Sequence, residues 1–275
     1  NVEADDAPLR PDTVYFGGGT PSLLTPAQAK RLIRAAAPVP SAEITLEANP
    51  ETVTEESLRG FRAAGVNRIS VNPQSFHDKT LQLIGRRHSV RDFYNAYELV
   101  RKSRIPVVNV DLIIGLPQET EQEIAYSLEQ AVKLAPENLT VHTLTLKRSA
   151  PLFQKQEQAV LTTQAAEKMV QRAAEMAAAI GLEPYYLYRQ HYMLGHLANI
   201  GYAKPGTESI YNIQMMEERH PVIGVGPASA SKVPLPDGHH LHKLNMPKNV
   251  AVYGARLQEL AERRRDLFNI EGTDL

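Results

Sequence analysis

The chain has 275 residues, of which 43% are hydrophobic and 22% charged, and its net charge is -1. This is the make-up of a globular protein rather than a disordered or fibrous one. So even a charge leaves no electrostatic footprint for nucleic acid or an anionic membrane surface, and no run approaches the roughly 18 apolar residues that would span a bilayer. With no signal-peptide pattern at its start, the chain reads as a cytoplasmic protein of one large α/β domain, or one domain plus an appendage.

The first residues, with Glu3, Asp5 and Asp6, are polar and aperiodic, and the sequence opens on Asn1 rather than Met. Beyond them, β-branched runs predict strands at Thr13–Phe16, Glu43–Ala48, Arg68–Val71, Val107–Ile113 and Leu139–Thr145. Amphipathic stretches lie between. Thr25-Pro26-Ala27-Gln28 supplies an N-cap, a proline at the first helical position and a Gln to close a capping box, and Thr120-Glu121-Gln122-Glu123 repeats that logic. Gly65 and Gly181 stand where helices need a left-handed C-terminal residue. Strand followed by helix, five times over, implies parallel βαβ units in an open sheet or a complete or partial barrel. After about Gly181 the pattern changes. Tyr185–Tyr188 is aromatic, Ile210 to Leu244 reads as short strands and turns, and a last helix is predicted over Lys248–Arg265. Residues 1–181 are therefore expected to form the barrel, and 182–275 a small α+β appendage.

Several residue groups carry possible chemistry. Tyr15-Phe16-Gly17-Gly18-Gly19-Thr20-Pro21 follows a strand, and successive glycines expose N–H groups that can hold a carboxylate, or simply make a tight turn. Polar residues fall near strand C-termini: Glu47 and Asn49, Asn72 and Gln74, Asp111, and His142 with Thr143 or Thr145. Parallel α/β architectures bind ligands at that end. Each such residue could instead make a structural hydrogen bond or ion pair, but several on successive strands favour a site. Gly85-Arg86-Arg87-His88 reads by itself as a solvated basic run. His239, His240 and His242 follow a Pro236-Asp237-Gly238 turn without a second ligand cluster, which argues against a zinc-type site. Tyr185–Tyr188 reads as packing residues with solvated hydroxyls, unless a large planar ligand covers them.

Together, Tyr15–Pro21, Glu47-Ala48-Asn49-Pro50, Gln74-Ser75-Phe76, Gly85–His88 and Asp111-Leu112-Ile113-Ile114-Gly115-Leu116-Pro117 resemble, in order and spacing, the radical S-adenosylmethionine (radical SAM) family of oxygen-independent coproporphyrinogen III oxidases. That family also holds a haem chaperone and a haem-degrading methyltransferase. Tyr185–Gln190, Gly201–Gly206 and Ile210–Ile213 look like its coproporphyrinogen dehydrogenase branch, known as HemZ. The resemblance implies an open, partial TIM-type barrel of about six βα units with S-adenosyl-L-methionine across the strand ends. It carries cofactor contacts onto Gly18, Gly19, Thr20, Glu47, Gln74, Arg86, Asp111, Ile113, Thr143 and Ala230, the last within a Gly224–Ser231 segment flanking the adenosine. It assigns no catalytic residue. It implies a tetrapyrrole substrate, a 4Fe–4S cluster and an external electron donor such as flavodoxin or ferredoxin.

The sequence departs from the family at one place. The family carries a three-cysteine loop between a first strand and the glycine motif, and this chain has no cysteine, so no thiolate-ligated cluster forms from its residues. The expectation is that the first strand and the cluster loop lie upstream of Asn1, the alternative being a degenerate homologue. The expected activity is oxidative decarboxylation of coproporphyrinogen III to protoporphyrinogen IX, with haem chaperone or methyltransferase as alternatives that the barrel motifs do not separate.

Overall fold

The computed structural model describes residues 10–144, 161–189, 197–235, 237 and 240–268. The N-terminal acidic stretch, Thr145, Gln190 and His239 lie outside the described residues. The chain divides into two compact units, one of Arg10–Tyr211 and one holding the described residues from Asn212 onward.

The first unit is built on a seven-stranded sheet. Strands β1 (Thr13–Phe16), β2 (Glu43–Ala48), β3 (Arg68–Val71), β4 (Val107–Ile114) and β5 (Asn138–Thr143) pair in parallel and in sequence order. Between them run α1 (Pro26–Ala36), α2 (Glu55–Ala64), α3 (Asp78–Leu83), α4 (Val90–Ser103) and α5 (Glu121–Lys133), and α6 (Thr163–Ala179) follows β5. The sequence explains the helix starts. Thr25 with Gln28 and Thr120 with Glu123 close the expected capping boxes, and Thr54 with Ser57 and Ser89 with Asp92 close two more.

Strand β4 alternates. In β4, Val108, Val110, Leu112 and Ile114 are buried in the main core with the apolar faces of the helices, while Val107, Asn109, Asp111 and Ile113 are half-buried on the other face. The result is a partial barrel whose outer face is apolar and whose concave face is polar. Among the described residues β1 pairs with β2 alone and stands at the edge of the sheet.

The sheet does not stop where the sequence placed the end of the barrel. Strands β6 (Glu183–Tyr188) and β7 (Asn199–Ala203) extend it in the order β5-β7-β6, and both pairings are antiparallel. The first compact unit accordingly runs past Gly181 to Tyr211. A second difference is α7 (Ile210–Glu217), a helix where strands and turns were expected. Glu43 explains its start: the carboxylate accepts from the Ile210 N–H (3.1 Å), the Tyr211 N–H (3.2 Å) and the Ser209 hydroxyl (3.0 Å). An acidic group reached through 166 residues of chain satisfies the orphan donors of the first turn, which no local pattern announces.

In the second unit, β8 (Ala230–Pro234) and β9 (Leu241–Asn245) form an antiparallel pair. Helices α8 (Val250–Ala255) and α9 (Leu257–Phe268) replace the single expected last helix. Val233, Leu244, Met246, Leu260 and Leu267 make this unit's own small core.

Candidate functional site

Residues from five strands converge on the concave face of the first unit. At the C-terminal end of β1, Gly18 and Gly19 have φ of 73° and 63° and are exposed. Side-chain-bearing residues rarely adopt such a backbone, and nothing lies within 4 Å of where a Cβ would sit on either glycine. The next residue is tied to the neighbouring strand end, since the Asn49 amide donates to Thr20 Oγ1 at 3.2 Å. Glu47, one turn of the pleat below Asn49, accepts a 2.5 Å hydrogen bond from the Tyr15 hydroxyl. Burial, and then the Glu47 charge, push the Tyr15 phenol well above its ordinary pKa, so it remains a donor. The Tyr15 ring stacks on Tyr211, with centroids 4.1 Å apart.

Asp111 lies across the face on β4. The Asn109 amide donates to its Oδ1 at 2.6 Å, and His142 Nε2 on β5 stands 3.6 Å from its Oδ2. Burial alone raises the carboxyl, but the contact and charge of His142, with Asn109 and Thr140, outweigh it and hold Asp111 below the usual carboxylate range. His142 is the mirror case. Burial lowers the imidazole, and Asp111 with Asn199 more than offsets it, so the ring's pKa is raised. Tyr186, whose ring lies on Gly201, is pushed up by burial and then by the Asp111 charge.

Gln74 takes φ 66°, an uncommon backbone for a non-glycine residue that the surroundings must over-determine. They do so from two sides. Its N–H donates to the Asp111 carbonyl (3.1 Å), and its carbonyl accepts from the Ile113 N–H (3.0 Å). Behind it, the Ser75 hydroxyl donates to Glu119, a carboxyl only 1% exposed and raised in pKa by burial. Arg86 belongs to a segment anchored at the same strand ends, because buried His88 contacts Glu51 at 3.5 Å and the Pro73 carbonyl at 3.4 Å. Burial lowers the His88 pKa, favouring the neutral ring.

Glu47, Asp111 and Ile113 thus share one face, and Gly18, Gly19, Thr20 and Gln74 stand at strand ends around it. Thr143 is directed elsewhere. Its register partner is the core residue Ile114, its hydroxyl donates to the Ala198 carbonyl at 3.4 Å, and His142 is the residue of that strand that faces Asp111. Ala230 lies in the second unit, at the start of β8, with its backbone closed on Gly224. Asn49 and Asn72 serve structure: Asn72 Oδ1 accepts from the Asp111 N–H at 3.1 Å. The Tyr186 hydroxyl is near Thr140 and Asp111 rather than solvated. Among the histidines after the turn, His240 pairs with Asp237 at 2.7 Å. Sequence reasoning did not single out Asn109, and gave Tyr15, Tyr186 and Tyr211 only as members of motifs. Asn109 was legible from its two-residue spacing to Asp111.

Residues 2–131 match the model of the radical SAM superfamily. That stretch is a radical SAM domain. The chain is similar to the oxygen-independent coproporphyrinogen-III oxidase-like protein HemZ of Bacillus subtilis, 40% identical over 259 residues (92% of this chain, 52% of HemZ). The heme chaperone HemW of Escherichia coli is 33% identical over 233 residues, 83% of this chain and 58% of HemW. Among solved structures, the radical SAM enzyme coproporphyrinogen III oxidase (HemN) of Escherichia coli matches with a TM-score of 0.69 at 20% identity, over 90% of this chain and 57% of that one. That likeness shows the fold, a partial barrel. The chain spans about half the length of the curated relatives it matches. No described helix is long and apolar enough to cross a membrane.

Proposed function

We propose that this chain is the S-adenosylmethionine-binding barrel of an oxygen-independent coproporphyrinogen III dehydrogenase, which decarboxylates coproporphyrinogen III oxidatively to protoporphyrinogen IX. The observation that carries the reading is the 40% identity to the HemZ relative across 92% of the chain. In this reading Arg10–Tyr211 is the catalytic unit and the residues from Asn212 onward an appendage to it.

The donor set suits the cofactor. Exposed N–H groups at Gly18 and Gly19 suit the amino-acid end, and Glu47 and Asp111 are carboxylate acceptors for amine or ribose hydroxyls. Arg86 offers a fork to the cofactor's carboxylate. The Thr45 hydroxyl, beside Tyr15 and Arg68 in register, is buried on the same face without a hydrogen-bond partner. When bound, S-adenosylmethionine supplies the means of abstracting hydrogen from a propionate side chain. The chain's own residues hold and orient it: Asn109 and His142 fix the Asp111 carboxylate, Tyr15 fixes Glu47, and the apolar outer layer keeps the strand ends rigid.

The 4Fe–4S cluster does not fit these 275 residues, which include no cysteine. The proposal places its thiolates outside them, with flavodoxin or ferredoxin as electron donor and a tetrapyrrole as substrate. The 33% identity to HemW favours one second reading, a haem-binding chaperone. Anaerobic assay of the cluster-loaded, full-length protein separates the two. Protoporphyrinogen IX formed with consumption of S-adenosylmethionine supports the dehydrogenase. Haem binding and transfer without turnover supports the chaperone and overturns the first reading.

A further inference from the structure

Asp111 is gripped by two groups of different kind. The neutral Asn109 amide takes Oδ1 at 2.6 Å, and the His142 ring stands 3.6 Å from Oδ2. The second distance is too long for a good hydrogen bond, so the contact works through charge and exists only while the imidazole is protonated. The two grips come from different strands, β4 and β5, whose register sets Asp111 opposite Thr140 and Ile113 opposite His142. On its other side His142 meets the carboxamide of Asn199 on β7, which itself accepts from the Thr143 N–H at 3.0 Å. The ring is held in place from both flanks.

We propose that His142 is a positioning residue for the nucleoside-binding carboxylate Asp111, and that its protonation sets the affinity of the strand mouth for the ribose diol. The proposal rests on the reading of Asp111 as a cofactor ligand given above. A carboxylate fixed at both oxygens presents its remaining lone pairs in one direction, and ligand binding then costs little ordering. Once His142 is neutral, the carboxylate keeps its Asn109 and Thr140 contacts and loses the ion pair. The tyrosines that feel the Asp111 charge do not change state in the same range. Tyr186 on β6 and Tyr15 on β1 are both pushed upward and stay neutral phenols. The sign follows from the raised His142 pKa, whose ordinary value is 6.5. The effect is complete below that value and disappears as pH rises through the higher folded one.

The test uses the chain itself, with 5′-deoxyadenosine as probe and affinity measured by ligand-observed NMR across pH 5.5 to 9. Affinity falls roughly three- to tenfold over that range in the unaltered chain, the loss expected for one charge contact. His142→Phe, and His142→Gln in case the ring is needed for folding, bind at the weaker level throughout, with no slope. The His142 ring titrates above 6.5 and returns to the ordinary range in Asp111→Asn. If both His142 variants keep affinity and slope while Asp111→Asn weakens binding, His142 has no positioning role and the ligand reading of Asp111 stands. If the chain does not bind the probe, or Asp111→Asn leaves its affinity unchanged, the ligand reading falls and the positioning role falls with it.

Discussion

At the scale of single residues, the concave face gathers groups whose ordinary states are shifted by their neighbours. Glu47 and Asp111 are the two carboxylates expected to meet the cofactor, and their isosteric amides test this without emptying the site. Glu47→Gln and Asp111→Asn in the cluster-loaded protein weaken S-adenosylmethionine binding by about 1.5–3 kcal/mol each, the worth of a hydrogen bond to a charged acceptor. Calorimetry showing full affinity in both variants would remove the assignment. Glu119 gives a stability prediction of known sign. Its carboxyl is raised above the ordinary 4.5 by burial, offset only partly by the Ser75 and Thr80 hydroxyls. The folded state therefore favours the protonated form, and stability is lost as pH rises from 4.5 through the folded value. Glu119→Gln keeps an acceptor for Ser75 without the charge. Thermal unfolding of this variant is expected several degrees higher at pH 7.5 and unchanged near pH 4; equal melting of variant and parent at pH 7.5 would refute it.

At the scale of elements, legibility follows the range of the forces involved. β1, β2 and β3 and the helix starts at Thr25 and Thr120 were readable because β-branched runs and capping residues are local signals. The N-cap residues accept from backbone N–H groups three positions on, and replacing one costs about 0.5–2 kcal/mol. Ser89→Ala at the head of α4, where Asp92 returns the bond at 2.8 Å, is expected to lower stability by that amount, read by urea denaturation. The pair β6 and β7 was not legible. Glu-Pro-Tyr-Tyr-Leu-Tyr has no polar alternation and carries a register irregularity between Pro184 and Tyr186, so it did not read as a strand. Gly201, read only as part of a motif, marks where Tyr186 crosses: a Cβ there would sit 1.9 Å from the Tyr186 ring. Gly201→Ala forces that ring away from Asp111 and is expected to destabilise by about 1–3 kcal/mol. A variant as stable as the parent would show that the ring moves freely. The site was legible in the same uneven way. Glu47, Gln74 and Asp111 stood out as polar residues at strand ends. Tyr211 did not, because its place over Tyr15 depends on Glu43 capping a helix that begins 167 residues later.

At the scale of the whole molecule, the barrel and the absent thiolates pose one question. β1 pairs with β2 on one side, and among the described residues no strand takes the other. An edge strand leaves a row of unpaired N–H and C=O groups, which sheets usually shorten or cover. β1 is short at four residues, and the stack of Tyr211 on Tyr15 covers part of its concave face. The proposed dehydrogenase needs more than cover there. Its cluster thiolates would come from a loop following a further strand, placed beside β1 so that the loop opens at the same end as Gly18, Glu47 and Asp111. The expectation is therefore that the full-length protein carries three cysteines upstream of Asn1. Anaerobic iron–sulfide reconstitution then gives the absorption and electron paramagnetic resonance of a 4Fe–4S cluster in the full-length protein, and none in the 275-residue chain. S-adenosylmethionine should bind much more weakly to the chain than to the loaded protein, in which the cluster would help hold the cofactor's amino-acid end, while 5′-deoxyadenosine should bind the two alike. An upstream coding sequence without cysteines, or a full-length protein that assembles no cluster, would end the dehydrogenase reading and leave the haem-binding one.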